Sequence, residues 1–529
     1  MKKGFTILIV VSQWTREGAM DAEEYIACLA PLRALRDTKD TMRKFLLPLL
    51  TLASTIAFSQ PRTIVTTDGE VDDQDSFIRL LLYTNEFTLE GLVYSSSQWH
   101  YKGDGKGTKF TSKMPMTKDR YGERTELRWP GTTWMQEMID KYADVYPNLI
   151  RHDKRYPSPG YLKSLVKVGN IDFEGEMTND TEGSDFIKKI LLDDNSEPVY
   201  LQIWGGTNTV ARALKSIEDQ YKSTDQWKSI SKKVSDKAII YAVLDQDDTY
   251  KKYVEPNWPD IRILYNANQF WNFAYPWPQV VPGPLQKYLR GSWFKENIKF
   301  NHGPLLNTYY TWGDGTTILN DEEHTQGTDT AAMKKYHMTQ YDFISEGDSP
   351  AFLHLVDVGL GNLEDASYGG WGGRMVRSKT NPHRWEDGDE VVDFNPYTQK
   401  MDKAYPQTRW IDAIQNDFAA RADWCVKDFR NANHAPSVKV ASNRIRAKRG
   451  ETVKMSATLT DPDGNEGELT WWQYSDVDSY PGKVEFKKGS TFIVPGDAKS
   501  GDTIHIIVEG TDNGVPSLTR YQRIIVTVE

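Results

Sequence analysis

Val65-Thr66-Thr67-Asp68-Gly69-Glu70-Val71-Asp72-Asp73-Gln74-Asp75-Ser76 is the stretch on which the fold turns. The run before it, Thr63-Ile64-Val65-Thr66, is β-branched and reads as a strand. After it, Phe77, Ile78, Leu81 and Leu82 recur at helical spacing, which predicts a helix from Asp75 to Tyr83. Between the two lie five carboxylates within eight residues. One or two aspartates there would simply cap the helix. Crowding Asp68, Asp72 and Asp73 into one turn adds a repulsion that capping does not need and that a divalent cation relieves. Hard oxygen donors suit Ca2+ or Mg2+. An over-capped, solvated helix start is the other reading of the same residues.

Working outward, strand-like and helical runs alternate from residue 62 to about 430. Leu89–Tyr94, Pro198–Trp204, Lys237–Val243 and Ile261–Tyr265 read as strands, and Thr209–Ile217 reads as a helix. This alternation predicts an α/β fold, a mostly parallel sheet flanked by helices, with ligands beyond the carboxyl ends of the strands. Residues 265–330 and 366–407 read as long loops rich in Gly, Pro, Asn and aromatics. Past Asn433-His434-Ala435-Pro436 the texture becomes short alternating strands with turns at Asp461-Pro462-Asp463-Gly464 and Asp512-Asn513-Gly514. About seven strands predict a small all-β immunoglobulin-like sandwich over 433–529. Trp471 and Trp472 fall on opposite faces of one strand, one toward the core and one outward.

The 529 residues are 39% hydrophobic and 26% charged with a net charge of −10, which excludes a disordered chain and a multi-span membrane protein and gives no basic footprint for nucleic acid. The 17 Trp and 27 Tyr suit either a large core or sugar stacking. Met42-Arg43-Lys44, an apolar run containing Pro48, and Ala57-Phe58-Ser59 read as a signal peptide over 42–59. Residues 1–41 are then expected to be a mis-called extension, and the processed chain, 60–529, to be secreted or periplasmic without a membrane anchor. Only Cys425 would remain of the two cysteines, as a packed helix residue.

The acidic turn resembles the nucleoside hydrolase fingerprint D-x-D-P-G-x-D-D, with Thr66 at the first Asp, Asp68 at the second, Gly69-Glu70 for Pro-Gly, and Asp72-Asp73 at the final pair. Two further segments agree in order. Trp204-Gly205-Gly206-Thr207-Asn208 is similar to the family's G-G-x-T-N stretch, and Glu346-Gly347-Asp348-Ser349-Pro350 to its H-D-P stretch. The resemblance implies Ca2+ held by Asp68, Asp73, Thr207 and Asp348. It makes Asp68 the general base on a metal-bound water and Asp72 a contact to sugar hydroxyls. Substrate contacts are also expected from Gln98, Trp99, His100 and Asn208.

The pattern departs from that family in two places. Gly347 stands where some members carry a leaving-group histidine; His354, His100 and His152 are replacements by type only. Ser95-Ser96-Ser97-Gln98-Trp99-His100 replaces a T-T-V-x-G-N-like run, which puts nucleoside specificity in doubt. A narrower resemblance covers most of 62–529. The acidic turn, Asn179-Asp180-Thr181-Glu182-Gly183-Ser184-Asp185, the Gly-Gly-Thr-Asn segment, Gly-Asp-Ser-Pro and the terminal sandwich are similar to the secreted cellulose-binding, nucleoside hydrolase-like family. Within it Glu182 reaches the pocket or merely caps a helix. The implied domains are 60–432 and 433–529. Two functions are expected from this. One is a calcium-dependent hydrolase of glycosidic or N-glycosidic bonds in a carbohydrate or nucleoside-like substrate. The other is a non-catalytic binder of a cellulose-type polysaccharide on the same scaffold.

Overall fold

The computed structural model of the chain describes residues 60–487 and 489–529. The expected signal peptide at 42–59 and the extension at 1–41 lie outside the described residues.

The first strand, β1 (Arg62–Thr67), is buried along its whole length. It runs parallel to β2 (Thr88–Tyr94) on one side and to a later strand on the other. In chain order the remaining strands of this sheet are β3 (Val166–Val168), β4 (Val199–Ile203), β5 (Ala238–Val243), β6 (Arg262–Asn266), β7 (Val376–Arg377) and β8 (Arg384–Glu386). Their spatial order is β3-β2-β1-β4-β5-β6-β8-β7, parallel except for the last pair. Strands with both faces covered need nearly continuous apolar runs, and Val199–Ile203 and Ala238–Val243 supply them.

Successive residues of β1 feed opposite layers. Ile64 packs with Leu201, Ile240 and Val210 under α3 (Glu182–Leu192), α4 (Asn208–Tyr221) and α5 (Trp227–Lys237). Val65 packs on the other side with Leu81, Trp204, Tyr241 and Phe352, under α1 (Val71–Tyr83), α2 (Trp134–His152), α6 (Ser349–Leu353) and α7 (Ile411–Trp424). Each such fully buried side chain is worth about 1.5–3 kcal/mol relative to exposure. The aromatic excess is spent largely here: Trp204, Trp277 and Trp371 are among the most completely buried side chains.

Helix α1 begins at Val71 rather than at Asp75, so Asp72 and Asp73 lie inside its first turn, where the helix dipole favours negative charge. The long segments expected as loops carry several short helical turns, such as Gln269–Phe273 and Gly283–Leu289; the first buries Phe270 and Phe273 and leaves Trp271 exposed, and the second buries Leu285 and Leu289.

Past residue 436 the chain is strand-rich. A four-stranded sheet joins Arg444–Ala447, Thr519–Val528, Thr503–Asp512 and Gly467–Gln473 in that order, beside two-stranded pairs. Trp471 and Trp472 are each half-buried against a different layer. Trp471 packs on the sandwich core, while Trp472 lies on Trp410 of the α/β layer, ring centroids 6.1 Å apart. Cys425 is buried at the end of α7.

Candidate metal and carbohydrate site

Strand β1 has β2 and β4 as neighbours, so the strand order reverses at its carboxyl end. A crevice opens at such a switch point in parallel sheets. The loops after β1 (Asp68–Glu70), β2 (Ser95–His100) and β4 (Trp204–Thr207) all leave from this edge.

Gly69 makes the first loop possible. Its φ is +82°, and an added Cβ would lie 2.6 Å from Pro130 and 2.8 Å from Trp134 Nε1. The tight turn sends Asp72 and Asp73 back over the strand end, where Thr67 Oγ1 donates to Asp73. Asp348, the residue preceding α6, meets them there. Carboxylate oxygens of Asp72, Asp73 and Asp348 lie within 4.8 Å of one another.

A buried ion pair sets that convergence. Arg79 on α1 donates to Glu346 at 2.6 and 2.9 Å, and both side chains are fully buried. Gln415 of α7 and Ser349 complete the network at 2.7 and 2.5 Å. The pair thus ties the helix carrying Asp72 and Asp73 to the segment carrying Asp348. Arg79 sits among Phe77, Ile78, Leu80 and Leu81, and a cation on an apolar helix face is the signal by which sequence reasoning could have found it.

The electrostatics are those of crowded, buried carboxylates. Burial, then the negative Glu70, pushes Asp72 up to about 7. Burial, then neighbouring Asp68, pushes Asp73 well above the carboxylate range, and burial with Asp72 and Asp68 does the same to Asp348. Asp68 is 1% exposed and its Oδ2 has no hydrogen-bond partner. Thr207 precedes α4 and is buried. Its hydroxyl has no partner, and its carbonyl accepts from Ala211 N at 2.9 Å, one lone pair remaining. An oxygen-rich, buried set with unsatisfied acceptors fits a hard divalent cation.

The other expected contacts are placed as follows. Gln98 is buried and accepts from Thr117 at 2.6 Å. Trp99 lies edge-on to Tyr121, centroids 6.4 Å apart. His100 is buried 3.4 Å from Asp68 Oδ2. Asn208 turns inward: its amide donates to Ser96, Asn170 and Glu176 and accepts from Thr209, so its polar atoms are committed to the chain itself. Glu182 occupies the first turn of α3 behind the Thr181 cap, and its largely exposed carboxylate pairs with Lys167 at 3.0 Å. Of the histidines considered as replacements, His354 packs against Tyr200 and Tyr241, and His152 stacks with Trp424. Gly347 abuts the cluster so closely that a Cβ there would come within 2.7 Å of Asp72 Oδ2.

A second group was not anticipated. His324 and Asp321, from the long segment after Trp312, close over His100 and Glu70. Burial opposes charge on His324, but bonds to Asp321 and Glu70 raise it to about 9; the same histidine draws buried Glu70 down to about 2.

The switch-point sheet with this carboxylate cluster defines a nucleoside hydrolase-like protein. The comparisons agree: residues 62–375 match the model of the cellulose-binding Sde182, nucleoside hydrolase-like domain, and residues 452–528 match the cellulose-binding protein Sde0182, C-terminal domain. The chain belongs to this cellulose-binding Sde182, nucleoside hydrolase-like family. Among solved structures it is similar to a nucleoside hydrolase-related protein from Saccharophagus degradans associated with carbohydrate metabolism. The identity is 25% over 89% of this chain and 100% of the other, with a TM-score of 0.64. A plant nucleoside hydrolase, PpNRh1, aligns over 69% of this chain and 99% of its own, at 10% identity and a TM-score of 0.30. No curated protein matches the sequence.

Proposed function

We propose that the chain is a secreted, calcium-dependent hydrolase of a glycosidic or N-glycosidic bond in a carbohydrate-derived substrate. The observation that carries this reading is the convergence of Asp72, Asp73 and Asp348 beside a buried Asp68 whose Oδ2 has no partner. Asp68, Asp73, Thr207 and Asp348 would hold the cation, and Asp72, the least buried of the aspartates, would face the sugar hydroxyls. The placement of an Asp72 oxygen within the carboxylate triad also makes it a candidate ligand. When bound, a divalent cation orients water and sugar oxygens and lowers the pKa of a water. Asp68 would take a proton at Oδ2 from a water whose oxygen bonds to the anomeric carbon, while the glycosidic bond breaks and its electron pair leaves with the departing group, which takes its proton from solvent; the nearby carboxylates would stabilise the positive charge that develops on the sugar. His100 beside Asp68 holds the base in orientation. Among the described residues no helix is long and apolar enough to cross a membrane.

A second reading, a carbohydrate binder without turnover, is favoured by Gly347, which leaves no side chain at the family's acid position. A cleft of about 560 Å3 lined by Phe394, Tyr405, Arg409, Trp471, Trp472 and Phe486 offers aromatic faces for sugar stacking.

The test is a product assay on nucleosides and on plant and algal oligosaccharides with saturating calcium, comparing wild type with Asp68→Asn. Turnover in the wild type, lost in the variant while calcium still binds, supports the hydrolase. Saturable sugar binding with no product from either protein supports the binder.

A further inference from the structure

The group formed by His100, Asp321 and His324 has a donor chemistry different from the aspartate cluster next to it. One ligand atom from each of the three lies within 4.8 Å of the others, and all three residues are buried, at 1%, 4% and 8% exposure. Both ring nitrogens of His100 are enclosed without any hydrogen-bond partner. Each nitrogen faces a carboxylate, Asp68 at 3.4 Å and Asp321 at 3.6 Å, without forming a hydrogen bond, and a buried polar group left in that state is costly.

The surroundings are those of a histidine-rich metal centre. His324 Nδ1 and His100 Nε2 both face Asp321 Oδ2, the latter at 3.6 Å. The second nitrogen of each ring faces a different carboxylate: His324 Nε2 lies 3.0 Å from Glu70, and His100 Nδ1 lies 3.4 Å from Asp68. Metal-bound histidines are held in this way, one nitrogen on the ion and the other N–H given to a carboxylate that fixes tautomer and ring. Tyr275 Oη stands 2.9 Å from His324 Nε2, and its ring stacks on the imidazole.

The backbone also pins the donors. His100 N and Trp99 N donate to Ser97 Oγ at 3.3 and 2.8 Å. Glu323 N and His324 N donate to Asp321 Oδ1 at 3.1 and 3.3 Å, which leaves Oδ2 for the pocket. Arg128 spreads its charge over Asp321 Oδ1 and Glu323, 3.4 Å from each, and its Nη1 lies 3.5 Å from His324 Nδ1.

We propose that His100, Asp321 and His324 form a second metal site, for a divalent transition metal of the zinc type, adjoining the aspartate cluster. Two imidazoles and one carboxylate suit zinc and not calcium, and three protein ligands leave a position open for water or a substrate oxygen. The site's metal content is read without turnover and so does not depend on the hydrolase reading, although Asp68 and His100 belong to both sites.

The experiment uses the full chain, stripped with chelator and returned to excess calcium, then titrated with Zn2+ or Co2+. Metal content after gel filtration and the visible absorption of the cobalt form are the readouts. One zinc per chain beside undisplaced calcium is expected, with cobalt bands of nitrogen-ligated, low-coordinate character. His100→Gln and His324→Gln should lose the zinc and keep the calcium. Glu70→Gln should weaken zinc roughly 10–100-fold, and Asp348→Asn should leave zinc untouched. The proposal is overturned if folded wild type retains no zinc, if both histidine variants bind it as the wild type does, or if zinc only replaces calcium in a manner abolished by Asp348→Asn. Should a histidine variant not fold, the wild-type cobalt spectrum decides: bands of six oxygen ligands overturn the assignment.

Discussion

Arg79 and Asp348 illustrate how single residues build the site. Arg79 touches none of the proposed cation ligands, yet its partner Glu346 lies two residues before Asp348. Replacing Arg79 with Met leaves the Glu346 carboxylate buried without its partner, a change that costs about 3–5 kcal/mol. Denaturant titration should show that loss, and calcium affinity should fall as well, because the Asp348 segment loses its anchor to α1. A variant with unchanged calcium affinity would separate the ion pair from the site. Much at this scale was legible in the sequence. Asp68, Asp72 and Asp73 stood out because five carboxylates in one short turn exceed what a helix start requires. His324 did not, because Asp321 and His324 lie in a segment with no periodicity, and only the closure of that segment over β2's loop gives them partners. The internal bonds of Asn208 were hidden for a related reason: the partners Ser96, Asn170 and Glu176 come from other loops.

At the scale of elements, α6 carries a pH-sensitive stability term. His354 follows this helix and is fully buried between Tyr200 and Tyr241; burial lowers its pKa from 6.5 to about 4. The unfolded chain therefore binds a proton that the folded chain refuses between those values. Stability from this residue is complete above about 6.5 and is lost as pH falls toward 4, up to roughly 3 kcal/mol. His354→Leu should flatten the difference between denaturant midpoints at pH 7 and pH 4.5. An equal acid-induced loss in both proteins would exclude the imidazole as its source. The strands themselves were readable, since parallel strands covered on both faces must be continuously apolar. The start of α1 was misjudged by a turn, because the acidic residues that cap a helix from outside serve equally well in its first turn. Residues 265–330 lack a repeating apolar pattern, so their short turns became visible only through what they bury.

Across the whole molecule, residues 60–529 form one compact unit, and polar contacts bind the strand-rich end to the α/β layer. Asp393 accepts from Arg374 at 2.6 Å, from Arg409 at 3.0 Å and from Tyr474 Oη at 2.6 Å. Tyr521 N donates to Val358 O at 2.8 Å and Arg523 N to Gly359 O at 3.0 Å. Removing 437–529 should expose Trp410 and the Asp393 cluster and leave an aggregation-prone remainder. Tyr474→Phe should cost about 1.5–3 kcal/mol, the range for a hydrogen bond to a charged group, within a single thermal transition seen by calorimetry. Two separated transitions in the wild type would mean that the halves fold independently. The sandwich's alternation was plain in the sequence. Its docking was not, because the alternation puts one of Trp471 and Trp472 outward without showing that Trp410 meets Trp472.

The central claim is that aspartates from the β1 turn and from the start of α6 grip one hard cation at the strand-order reversal. Isothermal titration of Ca2+ into chelator-stripped protein, wild type beside Asp73→Asn and Asp348→Asn, tests it most directly. The account predicts one calcium per wild-type chain and loss of that binding in each variant. A wild type that takes up no calcium, or variants that bind it undiminished, would contradict it.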